Sequence, residues 1–416
     1  MSMNLFLLYI DPGTGSALFS ILIGAAATLF FLSRAIIIKL KVILSGGKAV
    51  KTAVSANPYV IYCEGKQYWN VFKPVLEEFE SRKMDILYLT SAEDDPVFVP
   101  AWKYVKAEYI GEGNKAFARL NLMQADFCLM TTPGLDVYQL KRSKMTRHYS
   151  HVLHAPTDAT TYRLFGLDYF DSVLLTGDYQ ALDLKILENQ RNIPKKQFTT
   201  VGCSYLDEYA KKIKDLPKDI NQPFTVLVSP SWGASALLSR YGEKLLNPLV
   251  NTGHRIIVRP HPQSKKSEAG ILEKLSSRYG EKIIWDYERD NIYSLAKADI
   301  MISDFSGIVY DYVFLMDKPV IYVKQGMDIR AYDADDLGEN AVDKLWIFRT
   351  LKEIGIELKE KQFESIGEVI KNASNSETLR EARKKAYAEA WQFPGEAGKR
   401  IADFMIETTS NNDHNG

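Results

Sequence analysis

Net charge is missing from this sequence: 52 Lys and Arg stand against 52 Asp and Glu. No global field therefore draws the chain to nucleic acid or another polyanion, and an anionic substrate must be held by local devices. Cysteine is scarce as well. Cys63, Cys128 and Cys203 are far apart, fit no zinc or redox spacing, and read as small buried residues of a reduced cytoplasm. Tandem repeats are absent. No Lys or Arg precedes Arg34, which argues against a cleaved signal peptide, because such a peptide begins with a basic region. The 46% hydrophobic and 25% charged fractions are those of a globular protein, so wholesale disorder is excluded.

Residues 17–32 carry no charge at all, and only Ser20 and Thr28 among them are notably polar. With residues 13–16 they make a stretch of about 20 residues, which at ~1.5 Å per residue crosses a hydrocarbon core of ~30 Å. Asp11-Pro12-Gly13 reads as a turn before that helix, with Asp11 at its positive end. Arg34, Lys39, Lys41, Lys48 and Lys51 follow, and the positive-inside rule puts the rest of the chain in the cytoplasm. The expectation is a single-pass protein of the cell membrane with cytoplasmic catalytic domains. A buried core helix is the bland alternative; an interfacial helix is disfavoured because the segment has no polar face.

Beyond a linker at residues 45–48, apolar runs alternate with helical patterns. Strands fit residues 59–63, 86–89, 127–130, 149–153 and 173–175, with helices over 70–82 and 179–191. A polar stretch bracketed by Pro217 and Pro223 marks a boundary. The pattern then restarts with strands at 225–229, 255–259, 282–285, 299–303 and 319–323. A mostly helical tail spans 363–408 and breaks at Phe393-Pro394-Gly395. Strand–helix alternation predicts parallel sheets covered on both faces. The expected fold is α/β: an N-terminal transmembrane helix, then two Rossmann-like domains facing across a cleft. The segments are 1–48 (anchor and linker), 49–220, 221–408, and a polar, disordered tail at 409–416. Ligands of such sheets lie at the carboxyl ends of the strands, so chemistry is sought where polar residues follow a strand.

Three stretches qualify. Residues 299–311 run from a buried strand through Ser303-Asp304-Phe305-Ser306-Gly307 into a helix at 308–315. Gly307 lets a ligand approach the backbone, and free N–H groups with the Ser306 hydroxyl suit a phosphate. An ordinary helix cap reads equally well from these residues. Arg259-Pro260-His261-Pro262 ends another strand, with an arginine to neutralise phosphate oxygens and a histidine to donate to them. His148, His151 and His154 have a spacing that raises a metal site. On a strand, however, His148 and His154 lie ~20 Å apart and His151 points to the other face. That leaves His154 at the strand end as the candidate base. Ser229-Pro-Ser231-Trp-Gly233 is either a donor-side loop or a turn, and residues 287–290 could meet a base or ribose.

At these motifs the sequence resembles the CDP-glycerol glycerophosphotransferase family of teichoic acid and capsule synthesis. The resemblance rests on Arg259-Pro-His261-Pro, Ser303-Asp-Phe-Ser306 with Asp311-Tyr, Lys318-Pro319-Val-Ile and Gly395-Glu-Ala-Gly-Lys-Arg-Ile. It implies a GT-B-type fold, no metal and no cofactor, an acceptor domain at 49–220 and a nucleotide-donor domain at 221–408. It places a histidine like His261 and hydroxyls like Ser303 and Ser306 in the donor site. Together with the strand-end reading, the expected catalytic residues are His154 and His261, and the expected donor-binding set is Ser231, Arg259, Ser303, Asp304, Ser306, Gly307 and Asp311. The family has His-Gly at its first-domain histidine, whereas here Ala155-Pro156 follows His154.

The function expected is transfer of glycerol phosphate, or a similar polyol phosphate, from a CDP-linked donor to a lipid-linked or cell-surface glycan, releasing CMP. The partners are then a cytidine nucleotide donor, that acceptor, and the membrane through the N-terminal helix; nucleic acid is not among them. A glycosyltransferase using a CMP- or UDP-activated sugar, and an inactive membrane scaffold of the same fold, are the alternatives.

Overall fold

Short runs with no polar side become the strands, as a parallel sheet covered on both faces requires. Tyr59–Cys63 (β1), Ile86–Thr90 (β2), Thr225–Val228 (β8), Ile300–Ser303 (β11) and Val320–Tyr322 (β12) are buried at every position. The remaining strands are Val105–Tyr109 (β3), Ala125–Met130 (β4), Thr146–Val152 (β5), Ser172–Leu175 (β6) and Gln197–Thr200 (β7) in the first lobe. Arg255–Val258 (β9), Ile284–Trp285 (β10) and Gly355–Glu357 (β13) belong to the second. This computed structural model describes residues 57–217, 222–288 and 290–414.

The first sheet has the order β3-β2-β1-β4-β5-β6-β7 and the second β10-β9-β8-β11-β12-β13, all pairs parallel. Strand order reverses between β1 and β4, and again between β8 and β11. Each reversal opens a crevice at the carboxyl ends, the ordinary ligand position of such sheets. Three apolar cores pack on the sheets of the two Rossmann-like lobes, and the one around Tyr310 and Trp346 takes in Cys203 and Leu206 of the first lobe. One packs Phe72, Phe79, Tyr88 and Phe127 on the first sheet. The other two sandwich the second sheet, around Leu245 and Ile366 on one face and Tyr310 and Trp346 on the other. Cys63, Cys128 and Cys203 are free and buried.

Helix Ala397–His414 follows the second sheet in sequence but packs on the first lobe, with Ile401, Phe404 and Met405 in that core. Its approach to helix Trp69–Ser81 requires Gly398: a Cβ there would lie 2.5 Å from Pro74 Cβ. The helix extends through residues 409–414, which sequence polarity marks as a disordered tail; Thr409 and Ser410 hydroxyls donate back to the carbonyls four residues earlier. The expected span at 17–32 lies outside the described residues. Among those described, no helix is long and apolar enough to cross a membrane.

Candidate active site

At the second switch point three strand ends are tied together by side chains. Ser303, closing β11, is fully buried and donates its hydroxyl to the Ser229 carbonyl beyond β8 at 2.6 Å. The Ser229 hydroxyl donates in turn to the Arg259 carbonyl beyond β9 at 3.4 Å. Asp304 is 1% exposed, and its two carboxylate oxygens accept the backbone N–H groups of Ser231 (2.8 Å) and Leu237 (2.9 Å). Leu237 opens helix Leu237–Val250, which lacks a cap of its own, so Asp304 caps it from another strand. Burial pushes the Asp304 carboxyl up, and the Leu237 and Ser231 N–H bonds oppose that.

Two of the serine and aspartate side chains expected on the donor therefore face inward. Ser303 and Asp304 shape the loop rather than meet a ligand. Arg259 departs in the same way: its guanidinium holds Asp286 at 2.5 Å and the Glu288 carbonyl at 2.7 Å. Asp286 lies below the ordinary carboxylate range, with its Ser294, Glu288 and Arg259 hydrogen bonds outweighing burial. Arg259 thus fixes the loop after β10. Asp311 sits in the first turn of helix Ile308–Met316, buried, and accepts the Tyr205 hydroxyl of the first lobe at 3.1 Å.

What remains open at the switch point is backbone, with Ser306, His261 and the Ser231 hydroxyl, which is buried without a hydrogen-bond partner among the described residues. Gly307 is the N-cap of helix Ile308–Met316, and among the described residues the Gly307 and Ile308 N–H groups have no protein acceptor. A Cβ on Gly307 would meet only Thr157 Cγ2, at 3.9 Å. Thr157 belongs to the first lobe, so this loop lies at the cleft. The His261 Nδ1 accepts the Gln263 N–H at 3.1 Å, which leaves the proton of the neutral ring on Nε2. Its pKa is lowered by burial, with Glu268 opposing. Trp232, half exposed, faces the His261 ring at 6.2 Å between centroids.

Across the cleft, β5 ends at Val152 and the strand alternation ends with it. The chain turns, and His154 comes to the same side as His151, against the expectation from spacing. One hydroxyl joins them: Tyr162 Oη lies 3.1 Å from His151 Nε2 and 3.2 Å from His154 Nδ1. Burial lowers His154 to about 4 and His151 to about 3, where His154 contributes a smaller repulsion. Both rings are neutral at neutral pH. His148 is elsewhere, bonded to Ser172 at 2.8 Å and stacked on Phe127. Among the described residues no cluster of three His, Cys, Asp or Glu side chains could hold a metal ion.

The first-lobe histidine loop is also latched to the second lobe. Asp158 accepts the N–H groups of Trp346 (2.7 Å) and Ile347 (2.9 Å), the first turn of helix Trp346–Ile354. Burial lifts this carboxyl to about 6 against those two bonds. Arg191 adds a second latch, reaching Asp168 in its own lobe and Asp333 in the other, both at 2.7 Å. Asp333-Ala-Asp335 has the spacing of an acidic metal motif, but Asp333 also accepts the Phe165 and Gly166 N–H groups, so it joins the lobes.

The model of the family described as CDP-glycerol:poly(glycerophosphate) glycerophosphotransferase matches residues 184–406, more than half of the chain. The chain belongs to that family. It is accordingly a transferase, and the match includes the whole second sheet and its switch point. Solved structures agree in fold. A wall teichoic acid polymerase, TagF, solved after a soak with CDPG, superposes with a TM-score of 0.56 at 12% identity, covering 94% of this chain and 98% of that one. UDP-GlcNAc 2-epimerase from Methanocaldococcus jannaschii, in complex with UDP-GlcNAc and UDP, gives 0.54 at 14% identity, covering 84% and 99%. At such identities the likeness establishes the GT-B-like fold and nothing finer. No curated protein sequence matches the chain.

In this family member, Tyr162, Thr157 and Asp158 are the positions that sequence reasoning undervalued. Tyr162 offered no signal, being one tyrosine among 23. Thr157 and Asp158 lie just after His154 in sequence, and the helix that Asp158 caps begins 188 residues further on.

Proposed function

We propose that this enzyme transfers glycerol phosphate from CDP-glycerol to a hydroxyl of a lipid-linked or cell-surface glycan, releasing CMP. The observation that carries the reading is the family match, which includes the second switch point with its unpaired N–H groups and the strand end that bears His261. In this reading the diphosphate lies on Gly307, Ile308 and the Ser306 hydroxyl, where the helix dipole adds ~0.3–1 kcal/mol. His261 donates its Nε2–H to the phosphate that leaves with CMP. Ser231, Ser303, Asp304 and Arg259 hold the loops that present these groups. No cofactor or metal enters the reaction as written.

The acceptor oxygen attacks the phosphorus bearing glycerol, forming a new P–O bond. The bond from that phosphorus to the CMP oxygen breaks, CMP takes the electron pair, and the acceptor proton passes to His154. For that, His154 Nδ1–H must donate to the Tyr162 oxygen, which leaves the lone pair of the neutral ring on His154 Nε2. The approaching diphosphate favours the imidazolium that forms, so a ring buried neutral becomes a competent base. Residues 17–32 supply the membrane anchor in this reading, which puts the cleft near a lipid-linked acceptor.

The test is CMP release from CDP-glycerol by the full chain with glycan acceptors, beside CMP- and UDP-activated sugars. CMP release that is lost in His261→Gln is expected. Turnover of an activated sugar without turnover of CDP-glycerol would overturn the proposal.

A further inference from the structure

One segment of the second lobe pairs with the chain that carries Tyr162. The Asp333 N–H donates to the Tyr162 carbonyl at 2.9 Å and the Leu164 N–H to the Ala331 carbonyl at 3.3 Å, so Arg163 and Tyr332 face each other in an antiparallel rung between the lobes. The Asp333 side chain closes the pairing. It is 1% exposed and accepts the Phe165 N–H at 2.6 Å and the Gly166 N–H at 3.2 Å, while Arg191 compensates its charge from the first lobe. Phe165 is held there at φ +64°, a left-handed backbone that a phenylalanine adopts only where its surroundings impose it.

The Tyr162 backbone thus belongs to the joint, with Asp158 capping a second-lobe helix on its other side. Its hydroxyl points the other way, to His151 and His154 of the first lobe. The second-lobe segment follows β12, and Val323, just beyond that strand, donates to the Ser303 carbonyl at 2.9 Å. One strand end therefore leads both to the donor loop and to the pairing with Tyr162.

We infer that Asp333 is a positioning residue for the base. It touches no reacting atom. It sets the Tyr162 segment, and through the Tyr162 hydroxyl it keeps the His154 proton on Nδ1 and the lone pair on Nε2. The base is then competent only while the second lobe is seated against it. A purely structural Asp333 would hold the lobes together without acting through Tyr162. The inference rests on the transferase reading above and adds a second-lobe residue to its acid–base chemistry.

A double-mutant cycle on the full chain separates the two roles, with kcat for CMP release read from initial rates and CDP affinity by calorimetry. Asp333→Asn keeps one acceptor but turns an amide N–H₂ toward a backbone N–H. It should lower kcat about tenfold in the native background and less than about twofold in Tyr162→Phe, with CDP affinity unchanged, which also verifies the fold. Arg191→Lys keeps a cation beside Asp333 without the planar fork, and gives the same comparison if Asp333→Asn does not fold. An equal loss in both backgrounds, or full activity of the folded variant, overturns the inference. Failure of the transferase reading looks different: the native chain releases no CMP from CDP-glycerol. The cycle is then read from the His154 ring-nitrogen shifts of a chain carrying isotope-labelled histidine, which Asp333→Asn should move only where Tyr162 is present.

Discussion

Asp311 offers the sharpest test of how the lobes are joined. Its carboxyl is buried at the contact between helices Ile308–Met316 and Ser204–Lys214, and one bond, from the Tyr205 hydroxyl at 3.1 Å, is its visible compensation. Burial pushes its pKa from the ordinary 3.8 up to about 7, Tyr205 opposing. Between those two values the native protein keeps a proton that the unfolded chain has lost. The native state then binds more protons, so stability falls as pH rises across this window and is flat on either side. At ~1.36 kcal/mol per pH unit the loss by pH 8 reaches about 4 kcal/mol.

Asp311→Asn has no proton to lose, and its amide oxygen keeps the Tyr205 bond. Urea unfolding of the full chain, followed by tryptophan fluorescence from pH 4 to 8, isolates this one group as the difference between the two proteins. The variant should match the native chain near pH 4 and exceed it by several kcal/mol, about 4 at most, at pH 8. A difference that stays constant with pH refutes the reasoning. A variant weaker at every pH by about 1.5–3 kcal/mol would mean that the carboxylate is ionised and Tyr205 satisfies it as a charged partner.

Asp304→Ala leaves two buried N–H groups without acceptors and should cost about 2–6 kcal/mol in urea unfolding, with CDP affinity falling because the Ser231 loop loosens. Arg191→Met strands the buried Asp168 and Asp333 carboxylates and should cost about 3–5 kcal/mol by the same measurement. Tyr162→Phe should lower kcat for CMP release by roughly 10²-fold and leave CDP affinity unchanged by calorimetry, since the ring packing survives and only the tautomer control is lost. With His154 lowered to about 4, the base is neutral above that pH. The acid limb of kcat/KM should therefore fall near pH 4 rather than pH 6–7 in initial-rate profiles.

Central strands were legible because burial on both faces writes a continuous apolar run. β1, β8, β11 and β12 start and end within a residue of where the apolar pattern puts them. Three strands left no such trace: β3, β7 and β13 lie at sheet edges, half exposed, and read as polar coil. The strand-end rule picks out loops at the carboxyl ends of the sheets but does not say which side chains turn inward. Ser303, Asp304 and Arg259 looked like ligand groups because polar residues at strand ends serve two masters, ligand and loop. His154 and His151 were misjudged for a local reason: alternation holds only while the strand lasts, and β5 stops at Val152.

The inward-turned residues explain how a site made mostly of backbone can act on a diphosphate. A water-filled cleft would screen two free N–H groups and one imidazole to little effect. Their value depends on being aimed before the substrate arrives. Asp304 fixes the loop after β8 and the start of helix Leu237–Val250 at once, Ser303 binds that loop to β11, and Arg259 pins the turn after β10 to β9. Each uses a charged or hydroxyl group on protein instead of on ligand, which costs direct contact energy but removes the freedom of the donors that remain. Asp158 does the same between lobes: by capping helix Trp346–Ile354 it sets the distance from the His154 loop to the second sheet. His154 and the N–H groups of Gly307 and Ile308 are thereby held on two lobes joined beside the gap they share, so in the proposed reaction placement, rather than any single strong contact, supplies the catalysis.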